Sequence, residues 1–117
     1  IVVQATWELT PDDPKAIFDR FSASLKKRNA TQPVSQRSVG CVFRNPAGDA
    51  AGRMIEVAGC KTLRIGGVEV SGMHANYFIN DGRGTAADFV ALMGEVRARV
   101  RAQFGVELEP EVKFWGF

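Results

Sequence analysis

Apolar positions recur along the chain with two different periods, and the switches between them mark its elements. The opening run Ile1-Val2-Val3-Gln4-Ala5-Thr6-Trp7-Glu8-Leu9 is rich in β-branched and aromatic residues and turns polar at Thr10, which predicts a strand over residues 1–9. Asp13 followed by Pro14 is a helix start: the carboxylate can accept orphan N–H groups, and Pro is tolerated at the first helical position. Ile17, Phe18, Phe21 and Leu25 then share one helical face, and Lys26, Lys27 and Arg28 close the helix where cations suit the macrodipole. Residues 29–40 are polar and aperiodic, predicting a surface loop that leads into the apolar run Cys41-Val42-Phe43.

Beyond the turn at residues 44–49, Asp49 is placed to cap a short helix from near Ala50, with Met54, Ile55 and Ala58 as its stripe and Gly59 as its stop. Leu63 and Ile65, Gly66-Gly67, Val68 and Val70, then Tyr77-Phe78-Ile79 before Asn80-Asp81-Gly82, predict short strands joined by tight turns. Thr85, with Asp88 three residues on, begins the clearest helix, whose stripe Phe89, Leu92, Met93, Val96, Val100 and Phe104 runs to Gly105. Glu109-Pro110-Glu111 is an acidic turn entering a final strand. The mixed order predicts an α+β fold: a single mixed α/β domain with a small β-sheet packed with about three helices.

Composition narrows the partners. A hydrophobic share of 45% with 24% charged residues in 117 is the balance of one globular domain. Fifteen Lys and Arg against thirteen Asp and Glu leave a net charge of +2, without the basic excess of a nucleic-acid binder. No apolar stretch approaches the roughly twenty residues of a membrane span, and no basic-then-apolar signal opens the chain, so a cytoplasmic protein without a membrane partner is expected. Cys41 and Cys60 are expected as reduced thiols. A start without Met, already in a strand pattern, points to a piece of a longer protein.

Candidate chemistry is sparse. His74 is the single histidine and the two cysteines lie far apart, so no metal site is expected. Gly66-Gly67 lacks the G-x-G-x-x-G spacing of a phosphate loop and is a turn. The basic clusters sit near helix C-termini, as solvated faces do. Cys60, directly after Gly59, is expected to be a buried apolar substitute. Cys41 fits either a core filler or a proton donor, since a thiol of ordinary pKa, about 8.5, is mostly protonated at neutral pH. Glu111, with Pro110 fixing the turn before it, is either an exposed turn acid or, facing a cleft, a general acid.

Six segments in order resemble one family: Gly40-Cys41-Val42-Phe43-Arg44-Asn45-Pro46, Ala51-Gly52-Arg53-Met54-Ile55-Glu56, Leu63-Arg64-Ile65-Gly66-Gly67, Val70-Ser71, His74-Ala75-Asn76-Tyr77-Phe78-Ile79-Asn80, and residues 104–112. They resemble the UDP-N-acetylenolpyruvoylglucosamine reductases, the flavoenzymes that make UDP-N-acetylmuramate for bacterial peptidoglycan. The resemblance implies that residues 1–10 are a terminal strand or linker from a preceding flavin-binding region and residues 11–117 a C-terminal substrate-binding domain, in the bacterial cytoplasm. It implies NADPH and FAD as cofactors of the full-length enzyme, with FAD not expected to bind this chain alone. The implied partners are UDP-N-acetylglucosamine enolpyruvate and the missing N-terminal flavin-binding domains.

In the family, the flavin passes hydride to the enolpyruvyl ether and an acid in this domain protonates the adjacent carbon. The family's donor is a Ser, and Cys41 stands at that position. The exchange is chemically reasonable, because a thiol is more acidic than a serine hydroxyl and more open to oxidation. Glu111 matches the glutamate that assists protonation, Asn45 a substrate contact, and His74 a residue that helps hold the nucleotide diphosphate. Arg44 and Arg64 are electrostatically suited to a diphosphate as well. The alternative is a non-catalytic nucleotide-sugar or protein interaction module on the same fold.

Overall fold

Asp13 opens the first helix as its sequence demands: the carboxylate accepts the Ala16 N–H at 2.9 Å, and Pro14 takes the first helical position. The structure, a computed structural model, describes residues 2–116 and divides the chain between Ala30 and Thr31 into two units. The first unit holds most of helix α1, Pro14–Thr31, stapled outside by Lys15 to Asp19 and Arg20 to Asp12. Ile17, Phe18, Phe21 and Leu25 do share a face, yet among the described residues α1 buries none. The strand predicted over residues 1–9 is a correction: residues 2–9 carry no strand, and Ile1 lies outside the described residues. A strand needs a neighbour to take its main-chain hydrogen bonds, and the described residues of this unit form no other strand.

The second unit is a four-stranded antiparallel sheet in the order β1-β4-β3-β2, with β1 Ser38–Cys41, β2 Arg64–Ile65, β3 Val68–Val70 and β4 Tyr77–Asn80. Helices α2, Ala51–Val57, and α3, Ala86–Phe104, complete it. The polar loop predicted over residues 29–40 is trimmed at both ends, because α1 runs on to Thr31 and β1 starts at Ser38. Pairing of Ser38 with Ile79 on β4 overrides the polar local sequence. The register shifts between Ser38 and Cys41, where Gly40 adopts φ +82°, a left-handed conformation that lets the strand bulge.

The core lies between the sheet and the two helices. Val42, Phe43, Ile55, Val70, Phe78, Leu92, Val96, Val100 and Leu108 are buried together, with Phe78 edge-on to Phe43. The predicted stripe of α3 supplies four of the buried residues, Leu92, Met93, Val96 and Val100, with Phe89 and Phe104 half-buried at its ends. Thr85 and Asp88 form a reciprocal capping box although Asp is shorter than the usual Glu, and Gly105 caps the far end at φ +67°. The Gly66-Gly67 turn presses against the approach to α3: a Cβ on Gly67 would fall 2.3 Å from the Gly84 main-chain nitrogen.

The final strand is the second correction. Among the described residues the segment forms one bridge, Phe43 to Pro110, and Val112 to Trp115 carry no strand. Proline offers no N–H to extend a ladder.

Candidate functional site

The bridge at Pro110 nevertheless does the work of a strand where it matters. Val42 accepts the Glu111 N–H at 2.8 Å, and the Arg44 N–H donates to Glu109 at 2.9 Å. This main-chain pairing sets the two proposed proton-handling residues beside one another: Glu111 is bonded to the neighbour of Cys41, and its charge reaches the thiol.

The opposite edge of the same segment is held by Asn76, buried at the start of β4. Its side-chain oxygen accepts the Phe43 N–H at 2.9 Å, its amide donates to the Phe43 carbonyl at 2.8 Å, and its own carbonyl accepts the Val42 N–H at 2.9 Å. The side-chain amide thus stands in for a peptide group and satisfies both polar atoms of a fully buried phenylalanine.

Cys41 is half-buried, and burial is the main force pushing its thiol pKa up. The Glu111 carboxylate pushes the same way, while hydrogen bonds from the Tyr77 and Asn76 side chains partly oppose it. The thiol therefore stays protonated at neutral pH, which suits delivery of a proton and disfavours nucleophilic attack. Cys60 is fully buried, and burial raises its pKa too, as an apolar filler should behave.

A cleft of about 340 Å³ opens beside Cys41 and gathers three of the candidates, Cys41, Asn45 and His74. Asn45 has a structural task there, accepting the Ala51 N–H at 3.0 Å and so satisfying the first turn of α2. Asp49, expected as the cap, instead takes the Ala50 N–H and pairs with Arg53, which draws its carboxyl down to about 2. His74 sits in a turn pinned by the Ser71 hydroxyl, which accepts the N–H groups of Met73 and His74. Its Nδ1 accepts the Asn76 N–H at 3.3 Å, which leaves Nε2 as the donor of a neutral ring. Gly52 gives that ring room: a Cβ there would lie 3.2 Å from His74 Cε1.

The two arginines fall elsewhere. Arg44 is exposed and lines a separate concavity with Pro46, Glu107 and Glu109. Arg64 stands on β2 with its guanidinium divided between Glu69 at 2.7 Å and Asp81 at 2.9 Å, cross-linking the hairpin rather than facing the cleft. Arg53 lines the cleft and was not singled out from the sequence; its spacing four residues after Asp49 on a short helix was the available signal. Asn76 and Tyr77 were likewise passed over, since nothing local shows that a strand-edge amide will reach across to Phe43. Among the described residues no group of three or more His, Cys, Asp or Glu could hold a metal ion, and no helix is long and apolar enough to cross a membrane.

A helix-backed antiparallel sheet with a half-buried thiol beside a cleft makes this unit a small α+β domain. Residues 32–115 match the family model described as "UDP-N-acetylenolpyruvoylglucosamine reductase, C-terminal domain", and the chain belongs to that family. It is similar to UDP-N-acetylenolpyruvoylglucosamine reductases from Moorella thermoacetica, 47% identical over 98% of this chain, and from Methylococcus capsulatus, 50% identical over 97%. The crystal structure of the Thermus caldophilus reductase superposes with a TM-score of 0.77 at 33% identity, covering 92% of this chain and 38% of that one. The chain spans 38% of the length of both sequence relatives.

Proposed function

We propose that this chain is the substrate domain, beginning near residue 11, of a reductase that converts UDP-N-acetylglucosamine enolpyruvate to UDP-N-acetylmuramate. Cys41 delivers the proton that completes reduction of the enolpyruvyl double bond, Glu111 assists it, and Asn45 and His74 contact the substrate, His74 offering Nε2–H toward a diphosphate. The observation that carries this reading is the Val42–Glu111 hydrogen bond, which joins the segment of Glu111 to the residue after Cys41, with Cys41 itself in the lining of the cleft. Arg44 is kept as an outer contact to the diphosphate, and Arg64, already bound to two carboxylates, as a structural cross-link.

FAD and NADPH belong to the remainder of the longer protein in this reading. The glycine turn here offers no phosphate cradle: a Cβ on Gly66 would meet the Asp88 carboxylate at 2.4 Å, and Gly67 is closed against the Gly84 main chain. The chain's own residues therefore handle the proton and the substrate alone. In the full-length protein, Cys41→Ala is expected to leave flavin reduction by NADPH unchanged while product formation collapses. Undiminished turnover would remove Cys41 from the reaction and favour a binding module.

A further inference from the structure

Cys41 and Tyr77 are direct cross-strand partners in the β1–β4 ladder. Side chains at such positions project from the same face of the sheet, with Cβ atoms about 5 Å apart. The Tyr77 ring also packs edge-on to His74, with centroids 4.8 Å apart, and the Tyr77 N–H donates to the His74 carbonyl at 2.9 Å. A phenol placed between the donor thiol and the substrate-contacting imidazole is more than the apolar contact β4 requires at this position, because Phe78 already supplies the core.

We propose that Tyr77 is a positioning residue for proton delivery: its hydroxyl donates a hydrogen bond to the Cys41 sulfur and stabilises the thiolate left when the proton departs. The inference rests on Cys41 being the donor. As the proton passes from sulfur to the substrate carbon, the S–H bond breaks and a C–H bond forms. The S–H electron pair stays on sulfur, and water returns the proton afterwards. The groups around that sulfur make such help necessary. Burial and the Glu111 carboxylate both oppose a negative charge on Cys41, and only the Tyr77 and Asn76 side chains favour one. Asn76 also clamps both polar atoms of Phe43, so its help at the sulfur is not removable without breaking that clamp, whereas the Tyr77 hydroxyl is removable alone. Across the cleft α2 contributes Arg53 and Glu56, of which Arg53 is paired with Asp49, and the remaining titratable neighbour is His74.

The test uses the full-length protein with Tyr77→Phe, Cys41→Ala and the double variant. Phenylalanine keeps the ring contact with His74 and removes the hydroxyl alone. Two readouts are taken: the pH profile of Cys41 alkylation by iodoacetamide, followed on the Cys41 peptide by mass spectrometry, and kcat with KM for the enolpyruvyl substrate. The thiolate is the reactive form, so Tyr77→Phe should move the alkylation profile to higher pH. It should also lower kcat about tenfold with little change in KM, the loss expected for a hydrogen bond to a charged group. In the Cys41→Ala background the same substitution should cost nothing further. An unchanged alkylation profile beside a Cys41→Ala enzyme of much reduced but measurable turnover overturns the proposal and leaves the donor assignment standing. An equal loss of kcat in the Cys41→Ala background also overturns it, by making Tyr77 a packing residue. Full turnover by Cys41→Ala sinks the donor assignment and this inference with it.

Discussion

Replacing Asn76 by leucine tests the clamp on the Cys41 segment without reference to catalysis. Leucine keeps the shape of the side chain and removes its two polar atoms, so the Phe43 N–H and carbonyl lose partners now at 2.9 and 2.8 Å. Both atoms belong to a residue with 0% exposure, and Asn76 itself is 2% exposed, so water has no route to replace the lost bonds. A buried group left unpaired costs about 1–3 kcal/mol, giving about 2–6 kcal/mol for the two. The added apolar burial of leucine offsets part of this, and a net loss of about 2 kcal/mol or more should remain. Against a total stability of about 5–15 kcal/mol this is a large fraction. Urea unfolding of the wild-type and Asn76→Leu chains should show the midpoint falling by about 1 M with the slope unchanged. A variant within about 0.5 kcal/mol of wild type at equal slope would refute the reasoning, by showing that Phe43 finds other partners or that the clamp adds nothing over water.

The hairpin and its cross-links yield two further tests. The Gly67→Ala methyl would fall 2.3 Å from Gly84 N and 2.6 Å from Gly84 Cα, main-chain atoms that cannot move aside as a rotamer would. A loss of about 1–3 kcal/mol in urea melts is expected, whereas Gly72→Ala, whose nearest neighbour is Thr62 Cγ2 at 3.6 Å, should be close to neutral. Asp81 is held at about 2, below its ordinary 3.8, first by the Arg83 N–H and then by the guanidinium groups of Arg83 and Arg64. The unfolded chain therefore takes up this proton at higher pH than the folded one, so the stabilisation is present above about pH 4 and disappears as pH falls toward 2. Asp81→Asn should flatten the loss of urea midpoint between pH 5 and pH 2, estimated as roughly the window of this titration, and an acid limb as steep as the wild type's would remove Asp81 from the account.

What could be read from the chain divides by physical range. Helix α3 was legible because its capping box, its stripe and its terminal Gly105 are all local and agree. The Gly66-Gly67 turn was legible for the same reason. The misses depend on partners distant in sequence. Ser38 is in a strand only because Ile79 pairs with it, whereas Val2, Val3 and Trp7 have strand-forming side chains yet form no strand. Arg64 looked suited to a diphosphate until Glu69 and Asp81 were found on its guanidinium, and Asn76 was passed over because its partner Phe43 lies far away in sequence. Residue type announces capacity, while the fold decides which partner takes it up.

The bond between Val42 and Glu111 is made entirely of main-chain atoms. No side-chain replacement at either residue deletes it, short of proline at 111, so the place of residue 41 beside the Glu111 segment is set by the backbone while its chemical identity is left open. A lineage can exchange a hydroxyl for a thiol at position 41 in a single step, changing acidity and vulnerability to oxidants without relocating the group. The scaffold therefore acts as a socket for whatever side chain stands at position 41.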